Sequence, residues 1–134
     1  MMQGEYLLDA SALLAVLLGE PGQEHVLAIL DRSFVHSVNV AEVIARLIRS
    51  GVPAKAAKSA VSELHLETEH EFREPALCGE MLAGSRELGL SLGDCVCLTT
   101  AAMSGAIAVT ADRVWSKVNG QRLGGKILQV EVIR

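Results

Sequence analysis

The chain has 134 residues, half of them hydrophobic, only 3% aromatic, with a formal net charge of −4. That length predicts one domain, residues 1–134, around an aliphatic core, and the negative charge argues against a broad electrostatic coat for nucleic acid. A nucleic-acid enzyme stays open, because metal ions at an acidic site supply the positive charge that a phosphate needs.

The first element is a strand over Glu5-Tyr6-Leu7-Leu8-Asp9, apolar and closed by an acid. Ser11 to Leu18 reads as a helix, stopped by the turn Gly19-Glu20-Pro21-Gly22. Gln23 to Asp31 is a second helix, and Phe34-Val35-His36-Ser37 a short strand. Asn39 is placed as the cap of a helix from Val40 to Ser50, ended by Gly51. Pro53 suits a first helical position, so Ala54 to about Leu66 is helical. The acidic stretch from Glu67 to Glu74 is ambiguous, with a short edge strand expected near His70–Phe72. The segment from Leu64 to Pro75 has no assigned role.

Pro75 starts a helix running to about Leu88. The next helix opens at Ser91-Leu92-Gly93-Asp94, where a serine and an acid three residues later have capping-box spacing. After Asp94 it is small or apolar on every side, which predicts burial. Ala106 to Thr110 reads as a buried strand followed by Ala111-Asp112, and a short helix is expected at Arg113–Lys117. Ile127 to Ile133 alternates apolar and polar residues and suits a terminal edge strand. Strands alternating with helices imply an α/β fold, a mostly parallel sheet with helices on both faces.

No apolar run reaches the roughly 18 residues of a membrane span, and no basic segment precedes Leu7–Leu18 as in a signal peptide; a cytoplasmic, non-membrane protein is expected. Cys78, Cys95 and Cys97 lack zinc or disulfide spacing and read as small buried residues. His25, His36, His65 and His70 have no metal-ligand spacing and read as surface or strand residues.

The chemistry lies in the carboxylates. In a doubly wound sheet the carboxyl ends of parallel strands and the amino ends of the following helices share one edge, where ligands bind. That logic brings Asp9, Glu42 and Asp112 towards one place. Asp94 follows a helix, so topology alone does not bring it there. Each acid has a plain alternative. Asp9 and Asp112 suit helix caps, and Glu42 suits a capping box with Asn39 and a pair with Arg46. Four caps converging on one edge are another matter. Unit charges about 4 Å apart repel by roughly 4 kcal/mol at an effective dielectric near 20. Such a cluster calls for cations, and oxygen ligands select Mg²⁺ or Mn²⁺. Carboxylate-held metal without a nucleophilic Ser or Cys triad points to phosphodiester hydrolysis by metal-activated water.

At these acids the chain resembles a known family. Leu7-Leu8-Asp9-Ala10-Ser11-Ala12, Asn39-Val40-Ala41-Glu42-Val43, Leu90-Ser91-Leu92-Gly93-Asp94-Cys95 and Val109-Thr110-Ala111-Asp112-Arg113-Val114-Trp115 are similar to the four blocks of PIN-domain nucleases, most of all the VapC-type toxins of VapBC toxin–antitoxin pairs. The resemblance covers nearly the whole chain. It implies a three-layer α/β/α fold, metal-site acids at Asp9, Glu42, Asp94 and Asp112, and accessory hydroxyls at Ser11 and Thr110. It also implies Mg²⁺ or Mn²⁺ dependence, endonucleolytic cleavage of RNA, a homodimer and a cognate antitoxin protein. Arg46, Arg49, Arg86, Arg113 and Lys117 are candidate phosphate contacts, each equally suited to a solvated face. Other classes fit less well. An aspartyl-nucleophile phosphatase wants a second acid where Ser11 stands. A receiver domain wants a paired acid near the first strand and a lysine where the Asp112 segment stands. A non-catalytic scaffold of the same fold would be expected to lose one or more of the acids, and all four are here.

Overall fold

The computed structural model describes residues 4–134, so the first three residues of the expected 1–134 domain lie outside the described residues. Its centre is a five-stranded sheet in the order β3-β2-β1-β4-β7, with every pairing parallel. The strands are β1 (Tyr6–Leu8), β2 (Ser33–His36), β3 (Glu67–Glu69), β4 (Ile107–Thr110) and β7 (Gln129–Val132). The helices are α1 (Ala10–Leu18), α2 (Gln23–Ile29), α3 (Ser37–Arg49), α4 (Ala54–Ser62), α5 (Pro75–Gly84) and α6 (Leu92–Ser104). A two-stranded antiparallel ribbon, β5 (Arg122–Leu123) with β6 (Lys126–Ile127), stands apart from the sheet.

The layers follow from the pleat. Successive side chains of a strand point to opposite faces. Leu7 lies level with Phe34 and Ala108, and all three join the core built with α5 and α6. Leu8 lies level with Val35 and Val109, and these join the core built with α1, α2, α3 and α4. Two aliphatic cores on two sheet faces make the α/β/α sandwich, with the strands' apolar runs explained by burial on both sides. Among the described residues no single helix is long and apolar enough to cross a membrane.

α6 is the most buried helix of the molecule, with eight residues from Gly93 to Ala102 inside. Its start has the expected capping box. The Asp94 N–H donates to Ser91 Oγ at 3.1 Å, and the Ser91 N–H donates to Asp94 Oδ2 at 2.9 Å. We expect Ser91→Ala to cost about 1 kcal/mol, the usual worth of such a cap, read as a lower urea midpoint with an unchanged slope.

Several boundaries differ from the sequence expectations. α3 starts at Ser37, and its cap is His36, whose Nδ1 accepts the Val38 N–H at 3.1 Å. Asn39 is therefore inside the helix, and the expected Asn39 cap is replaced because β2 runs directly into α3 without a linking residue. The edge strand is Glu67–Glu69, three residues before the expected His70–Phe72; as an edge strand it is held by backbone pairing to Phe34, Val35 and His36 rather than by apolar alternation. The expected Ile127–Ile133 strand is split. Gly124 and Gly125, both at positive φ, turn Ile127 into the β5–β6 ribbon, and pairing with β4 begins only at Gln129. The helices from Ala54 and Pro75 end earlier than expected, at Ser62 and Gly84.

Candidate metal centre

The carboxyl ends of β1, β2 and β4 open on one edge, and a cavity of about 460 Å³ lies there. Asp9, Ser11, Glu42, Asp94 and Asp112 line it, together with Ala10, Leu14, Ala45, Arg46 and Arg49. The structure thus brings the four acids to one cavity from four different elements: the end of β1, the second turn of α3, the first turn of α6 and the residue capping the turn after β4.

Asp9 is the innermost, 4% exposed. It caps α1 through its Oδ1, which accepts the Ala12 N–H at 2.8 Å and the Ser11 hydroxyl at 2.7 Å. Its Oδ2 accepts the Thr110 hydroxyl at 2.6 Å. Thr110 is fully buried and in turn accepts the Asp112 N–H at 3.0 Å, and Ser11 Oγ accepts the Ala111 N–H at 2.9 Å. Ser11 and Thr110 therefore sew the end of β1 to the end of β4, so that Asp9 and Asp112 keep a fixed relation.

Burial pushes the Asp9 carboxyl up to about 6, against the pull of the Thr110, Ala12 and Ser11 hydrogen bonds, and the charge of Asp94 pushes the same way. Burial also lifts the Asp94 carboxyl, with Asp112 adding to the rise. Beneath them the fully buried Cys97 thiol is pushed far up, first by burial and then by Asp9, Asp94 and Glu42, which keeps it neutral. Burial dominates each of these shifts, and the neighbouring charges that add to them place the acids within electrostatic reach of one another.

Each acid is also locally tied, as the capping alternative requires. Asp112 Oδ1 accepts the Val114 N–H at 3.0 Å, and Asp94 holds its capping box. The expected Glu42 box is corrected. Glu42 Oε1 accepts the Asn39 side-chain amide at 2.8 Å, and no ion pair with Arg46 forms among the described residues. Every one of these bonds uses a single carboxylate oxygen. Asp94 Oδ1, Glu42 Oε2 and Asp112 Oδ2 keep no hydrogen-bond donor among the described residues.

The chemistry of the donor set suits a hard divalent cation: the acids lining the cavity offer oxygens only and four formal negative charges. Among the described residues, no three acids, cysteines or histidines are placed closely enough to hold a metal ion together. Mg²⁺ usually keeps several of its waters and takes only one or two protein carboxylates directly.

Of the five basic candidates, Arg46 and Arg49 line the cavity. Arg86, Arg113 and Lys117 do not, and the Arg113 Nε donates to the Arg134 carbonyl at 3.1 Å. Two contributors went unnoticed in the sequence. Asn39 reads there as a cap. Gly93 reads there as part of a cap motif, although a Cβ on it would strike the Glu42 carboxylate. The Gly-Asp pair at a buried helix start is the signal that was available.

A parallel α/β/α sandwich with a carboxylate-lined cavity at the carboxyl edge of its strands has its ligand-binding edge there. The chain belongs to the PIN domain family, whose model matches residues 6–121. No curated protein sequence matches the chain. Among solved structures, PAE2754 from Pyrobaculum aerophilum is 25% identical, covers 94% of this chain and 91% of its own, and superposes with a TM-score of 0.59. DNA-bound VapBC from Salmonella typhimurium is 18% identical, covers 99% of this chain and 100% of its own, with a TM-score of 0.71. VapBC-5 from Mycobacterium tuberculosis, a member of the VapBC family of toxin–antitoxin systems, is 20% identical, covers 97% of this chain and 98% of its own, with a TM-score of 0.56.

Proposed function

We propose that the chain is a VapC-type toxin, a single-domain endoribonuclease that depends on Mg²⁺ or Mn²⁺ and works in the cytoplasm. The observation that carries this reading is the meeting of Asp9, Glu42, Asp94 and Asp112 at one cavity. Like charges gathered from four elements cost stability unless a cation joins them. The likeness to VapBC structures supports the toxin assignment and an antitoxin protein as partner.

In this reading Asp9, Asp94 and Asp112 hold the ion, and Glu42 closes the site or acts through water. The bound ion supplies water acidified to near-neutral pKa and positive charge for the phosphate. The protein's own groups do the rest. Thr110 and Ser11 hold Asp9 by its two oxygens. Arg46 and Arg49, at the rim, take RNA phosphates and orient the strand. Water, not the ribose 2′-hydroxyl, is the nucleophile, so the products carry a 5′-phosphate and a 3′-hydroxyl. The substrate is a structured RNA cut at exposed, single-stranded positions, where unpaired bases are open to a small protein.

The test combines binding and cleavage. Calorimetry with Mn²⁺ should detect a site that Asp9→Asn weakens at least about tenfold, since the innermost ligand is lost. Incubation with total RNA should give cleavage in Mg²⁺ and none in EDTA. Equal Mn²⁺ affinity in wild type and variant, or cleavage that persists in EDTA, removes the reading.

The chain also assembles with itself in this reading. Leu18, Leu27, Ile48, Phe72, Leu92 and Ile127 are large apolar side chains left exposed. Light scattering on the isolated chain is expected to give twice the 14.2 kDa monomer mass. A monomer at tens of micromolar would remove the homodimer and leave the chemistry standing.

A further inference from the structure

Among the described residues, Asn39 is the one buried side chain that ties two of the acids' helices together by hydrogen bonds. It lies on α3, 1% exposed, one helical turn before Glu42. Its Nδ2 donates to Glu42 Oε1 at 2.8 Å and to the Gly93 carbonyl at 3.2 Å. Gly93 directly precedes Asp94 in the first turn of α6. A single amide group therefore bridges Glu42 and the backbone that carries Asp94.

The orientation of that amide follows from its partners. Both neighbours are acceptors, so only the nitrogen can face them; a flipped amide would set its oxygen against a carboxylate. The remaining atom, Asn39 Oδ1, is buried without a hydrogen-bond partner among the described residues. An unpaired buried carbonyl oxygen is a stability cost, and an apolar residue would avoid it. The two bonds made by its nitrogen offset that cost.

Gly93 gives a second, independent mark of the same arrangement. A Cβ at Gly93 would overlap the Glu42 carboxylate. Glu42 is thus held by a donor on one side and admitted by a missing side chain on the other. With Oε1 taken by Asn39, Oε2 keeps no hydrogen-bond donor among the described residues.

We propose that Asn39 is a positioning residue for the metal centre: it fixes the Glu42 carboxylate and locks the first turn of α6 to α3, setting the spacing of Glu42 and Asp94. The proposal rests on the metal-dependent reading above. Outer partners of this kind orient ligands, and their loss weakens metal binding by about 10–100-fold.

The experiment is Mn²⁺ calorimetry on wild type, Asn39→Ala, Gly93→Ala, Glu42→Gln and the double variant Asn39→Ala/Glu42→Gln, with melting temperatures in EDTA for each. Asn39→Ala and Gly93→Ala should each weaken Mn²⁺ about tenfold. Gly93→Ala should do so with little change in melting temperature, because the helix propensity gained by alanine offsets the loss of the displaced Asn39–Glu42 bond. In the Glu42→Gln background, Asn39→Ala should add less than its loss in wild type, only the part carried through the Gly93 carbonyl to Asp94. For RNA cleavage, kcat should fall and KM stay unchanged. Mn²⁺ affinity within twofold of wild type in both single alanine variants overturns the proposal. So does a full further loss in the double variant, which marks a general structural role. A wild type that binds no Mn²⁺ overturns the metal-dependent reading itself, and the role of Asn39 with it.

Discussion

Asp94→Asn and Asp9→Asn should each lower RNA cleavage by on the order of 10³-fold while the fold stays intact. Both substitutions remove a negative charge and keep the shape. Asp94 sits half-buried at the start of α6, with its Oδ2 committed to the capping box. Asparagine at 94 can still accept the Ser91 N–H through its Oδ1, so the helix start survives. What is lost is the second anionic oxygen facing the cavity. Asp9 is the stricter case, because both of its oxygens are held and its position is fixed by Thr110, Ser11 and Ala12. The measurement is fragment mapping after incubation with RNA and Mg²⁺. Wild type should give 5′-phosphate and 3′-hydroxyl ends. Cyclic-phosphate ends, or cleavage that survives in either variant, would point to a different nucleophile and a different catalytic group.

The second large effect is on stability, and its sign is opposite to that of an ordinary core mutation. In the metal-free protein the Asp9 carboxyl is raised from 3.8 to about 6. The folded state therefore holds its proton more tightly than the unfolded chain does. The resulting stability is fully present below pH 3.8 and is lost as pH rises through about 6. Above that, folding must bury an ionised carboxylate, at about 3 kcal/mol for a shift of this size. Asp9→Asn removes that cost. It should be close to wild type near pH 4 and more stable than wild type in EDTA at pH 7.5 by about 2 kcal/mol, once about 1 kcal/mol of weakened capping is subtracted. Urea denaturation from pH 4 to 8, at one protein concentration, measures the difference. A difference that does not grow between pH 4 and 7, or a variant less stable throughout, would mean that Asp9 serves chiefly as the α1 cap. The same proton links to metal: Mn²⁺ affinity should climb with pH through about 6 and then level, with proton release on binding.

Much of this was written locally. A capping box needs only a residue, its third neighbour and the intervening backbone, so Ser91 and Asp94 are legible without any tertiary knowledge. The same is true of the strand ends. Leu7-Leu8-Asp9 and Val109-Thr110-Ala111-Asp112 declare apolar strands closed by acids, and parallel-sheet topology then sends Asp9 and Asp112 to one edge. Two-sided burial of the strands was legible as well, because Leu7 and Leu8, or Ala108 and Val109, leave no polar face.

Other features had no local mark. β3 is set by backbone pairing to β2, which no side-chain alternation in Glu67-Thr68-Glu69 announces. His36 took the cap expected of Asn39 because β2 and α3 abut, and the length of a junction is a tertiary outcome. Asp94 follows a helix, not a strand, so strand topology alone could not bring it to the edge. The packing of α6 against α3 does so, through an amide bridge from Asn39 to Glu42 and Gly93. The sequence by itself determined which residues are acidic and which elements they start or end, since those depend on bonds between near neighbours. Only the tertiary structure decided that the four acids share one cavity, since that depends on the relative placement of helices with no short-range contact to specify it.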